Sequence, residues 1–152
     1  MNVLRDAVVT TFKNKFPQMT VLPFYGLLTE DTEKQISYNS PGILVCALGA
    51  SEPDDSIAPW ELESQLGAVI TVKAASMAER DRLGWDRCIE VADVVYANCW
   101  GISCQYIRPA HITLLRKNEQ RDAEGVPTGQ AYWTIQFTNL IKFEVLLGQT
   151  GP

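Results

Sequence analysis

From Ala131 to Val145 the chain alternates with a period of two. Ala131, Trp133, Ile135, Phe137, Ile141, Phe143 and Val145 share one face, interrupted only by Asn139. Tyr132, Thr134, Gln136, Thr138, Leu140, Lys142 and Glu144 share the other. Successive strand side chains point to opposite faces, so this run predicts a long strand with one face packed on helices and one meeting solvent or a partner. It forms the second arm of a long carboxyl-terminal hairpin, Gln130 to Leu147. Ile112 to Lys117 is the first arm, and Asn118 to Gly129 is a polar tip containing Gly125, Pro127 and Gly129.

The rest of the chain supplies the layers such a hairpin needs. Val3, Leu4, Ala7, Val8, Thr11, Phe12 and Phe16 recur at three and four, which predicts an amphipathic helix ended by Pro17. Met19 to Tyr25 reads as a short strand, with Pro23 marking an edge or a bend. Ile43 to Leu48 is apolar on both faces and predicts a central strand. Gly49 to Pro59 reads as a loop. Trp60 to Ala74 is a strand with Leu62, Ser64, Leu66, Ala68, Ile70 and Val72 on one face, and Gly67 predicts a kink or bulge within it. Ser76 to Trp100 predicts the second helix. Ser76 and Glu79 form its capping box, its buried stripe is Trp85, Cys88, Ile89, Ala92, Val95, Tyr96 and Cys99, and Gly101 is its stop. The fold class is therefore α+β: one domain over residues 1–152, an antiparallel or mixed sheet with both helices packed on one face, and a long carboxyl-terminal hairpin.

Charge narrows the function classes. The net charge is −5, from 13 basic and 18 acidic side chains, which disfavours a surface that wraps nucleic acid. Glu52, Asp54, Asp55, Glu61 and Glu63 lie between Ser51 and Gln65 with no Lys or Arg among them, and these five equal the whole excess. No apolar run approaches the ~18 residues needed to span a bilayer. The amino end, from Met1 to Asp6, reads as the start of a helix rather than a signal segment.

The residues that could carry chemistry form no recognisable set. His111 is the only histidine, and no Gly-x-Ser-x-Gly, G-x-G-x-x-G or Walker pattern occurs. Cys99 and Cys104 with His111 resemble a zinc fragment but lack the second ligand pair. All four cysteines, Cys46, Cys88, Cys99 and Cys104, read as buried free thiols in a reducing cytoplasm. Glu52-Pro53-Asp54-Asp55 lacks calcium-loop spacing. The expectation is a protein that is not an enzyme, with no cofactor and no metal. Trp85 and Trp133 read as core, while Trp60 sits beside the acidic loop where an interface role is open. The hairpin tip from Glu119 to Gly129, which holds Arg121, Asp122 and Glu124, reads as a mobile loop or as an arm that reaches a neighbouring subunit.

In layout the chain resembles the tail-terminator (tail-completion) proteins of long-tailed bacteriophages, of the minor-tail-protein-U type. The resemblance rests on the first helix (Val3-Leu4-Arg5-Asp6-Ala7-Val8), the strands Ile43 to Leu48 and Leu62 to Val72, and the helix from Met77 to Cys99. It closes with the segment Tyr132-Trp133-Thr134-Ile135-Gln136-Phe137. It implies a virion protein of the head–tail interface, assembled in the host cytoplasm. Such a protein is a homo-oligomeric ring, typically of six subunits, that caps the tail tube, ends its polymerisation and joins it to the head–tail connector protein. Partners would be the tail tube protein and the connector, with no membrane, and DNA would pass through without specific binding. Glu52, Asp54, Asp55, Trp60, Arg121, Asp122 and Glu124 are the candidate bore-lining or interface residues, because an acidic bore repels phosphates. The alternatives are another head–tail joining or neck protein, or a small-molecule-binding α+β module.

Overall fold

The computed structural model describes residues 2–24, 41–51, 61–105 and 107–142. Along these run helix α1 (Asn2–Lys15), strands β1 (Thr20–Phe24), β2 (Gly42–Ser51) and β3 (Glu61–Thr71), helix α2 (Met77–Val95), and strands β4 (His111–Arg121) and β5 (Pro127–Lys142). The strands form one sheet in the order β1-β2-β3-β5-β4. β1 runs parallel to β2, from Thr20 opposite Gly42 to Phe24 opposite Cys46. All other neighbours are antiparallel, so the sheet is mixed.

The alternation chose the buried face as expected. Ile43 and Val45 of β2, Ser64, Leu66, Ala68 and Ile70 of β3, and Trp133, Ile135, Phe137 and Ile141 of β5 are all buried. The apolar members join Leu4, Val8 and Phe12 of α1 and Cys88, Val91 and Val95 of α2 in one core, so both helices cover the same face. α1 lies against β1 and β2, and α2 lies against β3, β5 and β4. Asn139, the one polar member of the β5 core face, is 1% exposed. Its Oδ1 accepts from Trp100 Nε1 at 3.0 Å, and its Nδ2 donates to the carbonyls of Arg108 at 2.8 Å and Asn98 at 3.4 Å. A buried amide is stable only when so satisfied.

Several expectations are corrected. The opposite face of β5 does not meet solvent throughout, because Tyr132, Thr134 and Thr138 are buried there. β5 lies between β3 and β4, so Val69 packs on Tyr132, and Asn118 Nδ2 donates to Thr134 Oγ1 at 2.8 Å. Gly67 is not a bulge. It faces Cys46, whose Sγ would lie 3.2 Å from an added Cβ. The irregularity is in β2 instead, between Ala47 and Gly49. The hairpin tip is shorter than expected, since β4 runs to Arg121 and β5 begins at Pro127. Ser76 caps α2 as expected, accepting from Glu79 N at 3.2 Å. The helix nevertheless stops at Val95, well before Gly101. Ala97 takes a left-handed φ of 54°, and Asn98 Nδ2 bonds the Val94 carbonyl at 2.7 Å, which ends the helical ladder. Cys99 and Cys104 are not free thiols: they form a disulfide, with Cα atoms 6.0 Å apart. Only Cys46 and Cys88 remain free, both buried.

Candidate functional site: an apolar shelf beside the sheet edge

The residues that turn inward on α2 are Gly84, Cys88, Val91, Ala92 and Val95. Spaced at three and four, they place the sheet-facing line close to Gly84. At Gly84 the helix meets Trp133 of β5, and an added Cβ would overlap the indole. This close approach rotates the neighbouring stripe out of the core. Trp85 is 37% exposed, Ile89 56% and Tyr96 73%. Trp85 keeps an edge-to-face contact with Trp133, ring centroids 6.5 Å apart, but it is a boundary residue, not the core residue the sequence predicts.

This stripe lies on the β4 side. It begins at Asp81, whose Oδ1 accepts from Lys117 Nζ at 2.6 Å, and continues through Trp85, Ile89 and Tyr96. The far end is pinned where Ala97 N donates to the Ala110 carbonyl at 3.2 Å and Ala110 N to the Asn98 carbonyl at 2.9 Å. α2 thus runs antiparallel to β4. Asp81 to Ala97 covers ~24 Å at helical rise, and Lys117 to Ala110 covers ~23 Å at strand rise. The two ladders therefore keep level with each other. Leu115 of β4 is itself 37% exposed.

Trp85, Ile89, Tyr96 and Leu115 are thus large hydrophobic residues left substantially in water on the β4 side. An exposed apolar stripe gathered on one side of the molecule makes this the candidate interaction surface. Among the described residues β4 pairs only with β5, so its outer edge is unpaired. Bulges at Ile112/Leu114 and Glu119/Arg121, together with the charges of Arg116, Lys117, Glu119 and Arg121, guard that edge against random strand addition. A partner suited to this region would therefore pack side chains on the shelf rather than extend the ladder.

Concave sites are poorer candidates. A cavity of about 50 Å³ lies between the start of α2 and the hairpin, lined by residues that include Met77, Arg80, Lys117 and Trp133. It is far below the ~300–1,000 Å³ of ligand pockets. A wider, open depression of about 560 Å³ borders Arg116, Lys117, Arg121 and Tyr132. Its cations are mostly matched: Lys117 with Asp81 at 2.6 Å, and Arg121 with Glu119 at 3.9 Å. The Asp81 carboxylate holds the Lys117 pKa above the ordinary 10.5.

Of the candidate residues, Glu52, Asp54, Asp55 and Trp60 lie outside the described residues. Arg121, Asp122 and Glu124 lie together at the hairpin turn. Asp122 Oδ1 accepts from Glu124 N at 3.0 Å and Val126 N at 2.9 Å, and Arg121 Nη1 donates to the Gly125 carbonyl at 2.9 Å. Asp122 is thereby committed to building the turn. His111 is exposed at the start of β4. Among the described residues no three His, Cys, Asp or Glu side chains are grouped to hold a metal, and no helix is long and apolar enough to cross a membrane.

The chain matches no family model and no curated protein sequence.

The shelf residues Ile89, Tyr96 and Leu115 escaped the sequence reading as surface residues. One signal was present. α2 carries two adjacent apolar stripes, a wider arc than one sheet-facing line buries.

Proposed function

We propose that the chain is a structural subunit that works by packing against copies of itself. In this reading it is a tail terminator, forming a ring that caps a phage tail tube, ends its polymerisation and joins it to the head connector. The observation that carries this reading is the apolar shelf of Trp85, Ile89, Tyr96 and Leu115 beside a sheet edge that is unpaired among the described residues. A ring requires a surface on each subunit that fits a different surface on the next, so that the contacts close. The whole-chain layout described above supports the same role. The acidic segment with Glu52, Asp54 and Asp55 fits a bore through which DNA passes without being gripped.

The test is electron microscopy of the purified protein, alone and mixed with tail tubes, beside an Ile89→Asp variant. Annular particles or capped tube ends for the parent protein, lost in a variant whose circular dichroism and unfolding midpoint are unchanged, would support the reading. Bare tube ends with both proteins would refute the terminator role. Caps that form equally well with Ile89→Asp would remove the shelf from the interface. Replacing Glu52, Asp54 and Asp55 by Lys should impair tail joining or DNA delivery, and normal delivery would count against the acidic bore.

A further inference from the structure

We infer that Cys99–Cys104 is a reversible thiol–disulfide site that fastens the corner between α2 and β4, and that among the described cysteines it is the one pair able to act this way. This inference does not depend on the assembly role.

The corner is conformationally demanding. Ala97 and Trp100 have φ of 54° and 57°, the left-handed region that non-glycine residues avoid. Side chains hold them there. Trp100 N donates to Asn98 Oδ1 at 2.7 Å, and the Trp100 indole is buried against Phe12 and Phe137, with centroids 5.8 and 5.4 Å away. Cys99 follows Asn98 directly and reaches across Gly101 and Ile102 to Cys104. The Cα separation of 6.0 Å falls within the ordinary range for a disulfide.

Accessibility separates this pair from the other two cysteines. Cys104 is exposed and Cys99 half-buried. Cys46 and Cys88 are 1% and 0% exposed. Burial pushes both of their thiols up to about 11, so almost no thiolate forms at neutral pH. A dithiol in solution can therefore reach Cys104 but neither buried thiol. Its thiolate attacks Cys104 Sγ, a new S–S bond forms, and the Cys99–Cys104 bond breaks, with Cys99 leaving as a thiolate that takes up a proton. The second thiol of the reagent then attacks the mixed disulfide and releases Cys104 as a thiol. Two electrons and two protons pass to the protein, and the reagent departs as its cyclic disulfide. Oxidised dithiol reverses each step.

Closing so short a loop shifts the folding equilibrium on the order of 40-fold by chain entropy. The Trp100 contacts persist without the bridge, so the reduced protein stays folded with a looser corner. The test uses dithiothreitol and its oxidised form. After equilibration with oxidised dithiothreitol, the denatured protein should titrate two thiols; after reduction it should titrate four. In the native reduced protein, iodoacetamide should label Cys99 and Cys104 rapidly, and Cys46 and Cys88 only on unfolding, as read by peptide mass spectrometry. Reduction should lower the thermal midpoint by about 4–8 °C and make Trp fluorescence easier to quench with acrylamide. Cys104→Ser should show the lower midpoint with or without reductant; should that variant not fold, the parent protein with and without reductant carries the same comparison. Four thiols after oxidation, equal midpoints in the two redox states, or rapid native labelling of Cys46 or Cys88 would each overturn the inference.

Discussion

Gly84→Ala is a sharp test of how α2 sits on the sheet, because two effects of opposite sign compete at one methyl group. In an exposed helix interior, glycine to alanine gains ~1 kcal/mol through backbone entropy. Here the new Cβ would overlap the six-membered ring of Trp133, which is 0% exposed. The indole cannot step aside easily, since Trp85 meets it edge-on at 6.5 Å and Ile70 and Lys117 flank it across the strands. Overpacking of this kind costs ~1–3 kcal/mol, and a rigid ring belongs at or beyond the upper end. The expected net loss is ~2 kcal/mol, or about 4–8 °C in the thermal midpoint of a domain this size. Urea and thermal unfolding would measure it. Trp133→Phe provides the second leg of a double-mutant cycle. With the smaller ring, Gly84→Ala should become neutral or stabilising, giving a coupling of at least ~1 kcal/mol. An alanine variant as stable as the parent, or more so, would refute the argument that Trp133 dictates glycine here and turns Trp85 and Ile89 outward.

Further outcomes follow from other contacts. Asn139→Leu removes the acceptor for Trp100 Nε1 and the donor to the Arg108 and Asn98 carbonyls, leaving buried polar groups unpaired. Chemical denaturation should show a loss of ~2–3 kcal/mol. Lys117→Met should cost less than ~1 kcal/mol at neutral pH, because the ion pair with Asp81 is partly solvated. Since Asp81 raises the Lys117 pKa above 10.5, that stabilisation is complete below 10.5 and lost as pH climbs through the raised value. The stability difference between parent and variant should therefore shrink above pH 10.5, as read by urea unfolding across that range. Asp122→Ala takes away the acceptor for Glu124 N and Val126 N, and should lower stability by ~1 kcal/mol while leaving the rest of the fold unchanged by circular dichroism.

Local patterns carried much of the architecture. The alternation in 131–145 and 62–72, the three-and-four spacing of Val3 to Phe12, and the Ser76 cap are short-range rules, each read within one element. Together they specified an α+β sandwich with both helices on one face. They could not specify the rotation of α2. Its two apolar stripes, 84/88/91/95 and 85/89/96, satisfy the same periodicity, and the first is the one that docks, with Gly84 against Trp133 from a distant strand. The exposed shelf is what remains of the second, so the sequence signalled an excess apolar stripe but not which one would stay in water. Asn139 stood out as an interruption, but its partners at Asn98, Trp100 and Arg108 belong to a corner some 31 to 41 residues earlier. The Cys99–Cys104 pairing was hidden for a similar reason. Regular helix through Trp100 would have directed those residues differently, and the early stop at Val95 is what brings them together.

The amino-acid order by itself determined which segments are amphipathic and which kind of element each forms, though not where α2 and the hairpin strands end, because side-chain periodicity and capping act within a few residues. Tertiary structure alone decided which apolar stripe is buried, which strand lies at the edge of the described sheet and which cysteines meet. Those outcomes arise from volume exclusion and hydrogen bonding between segments distant in sequence, where no local pattern operates.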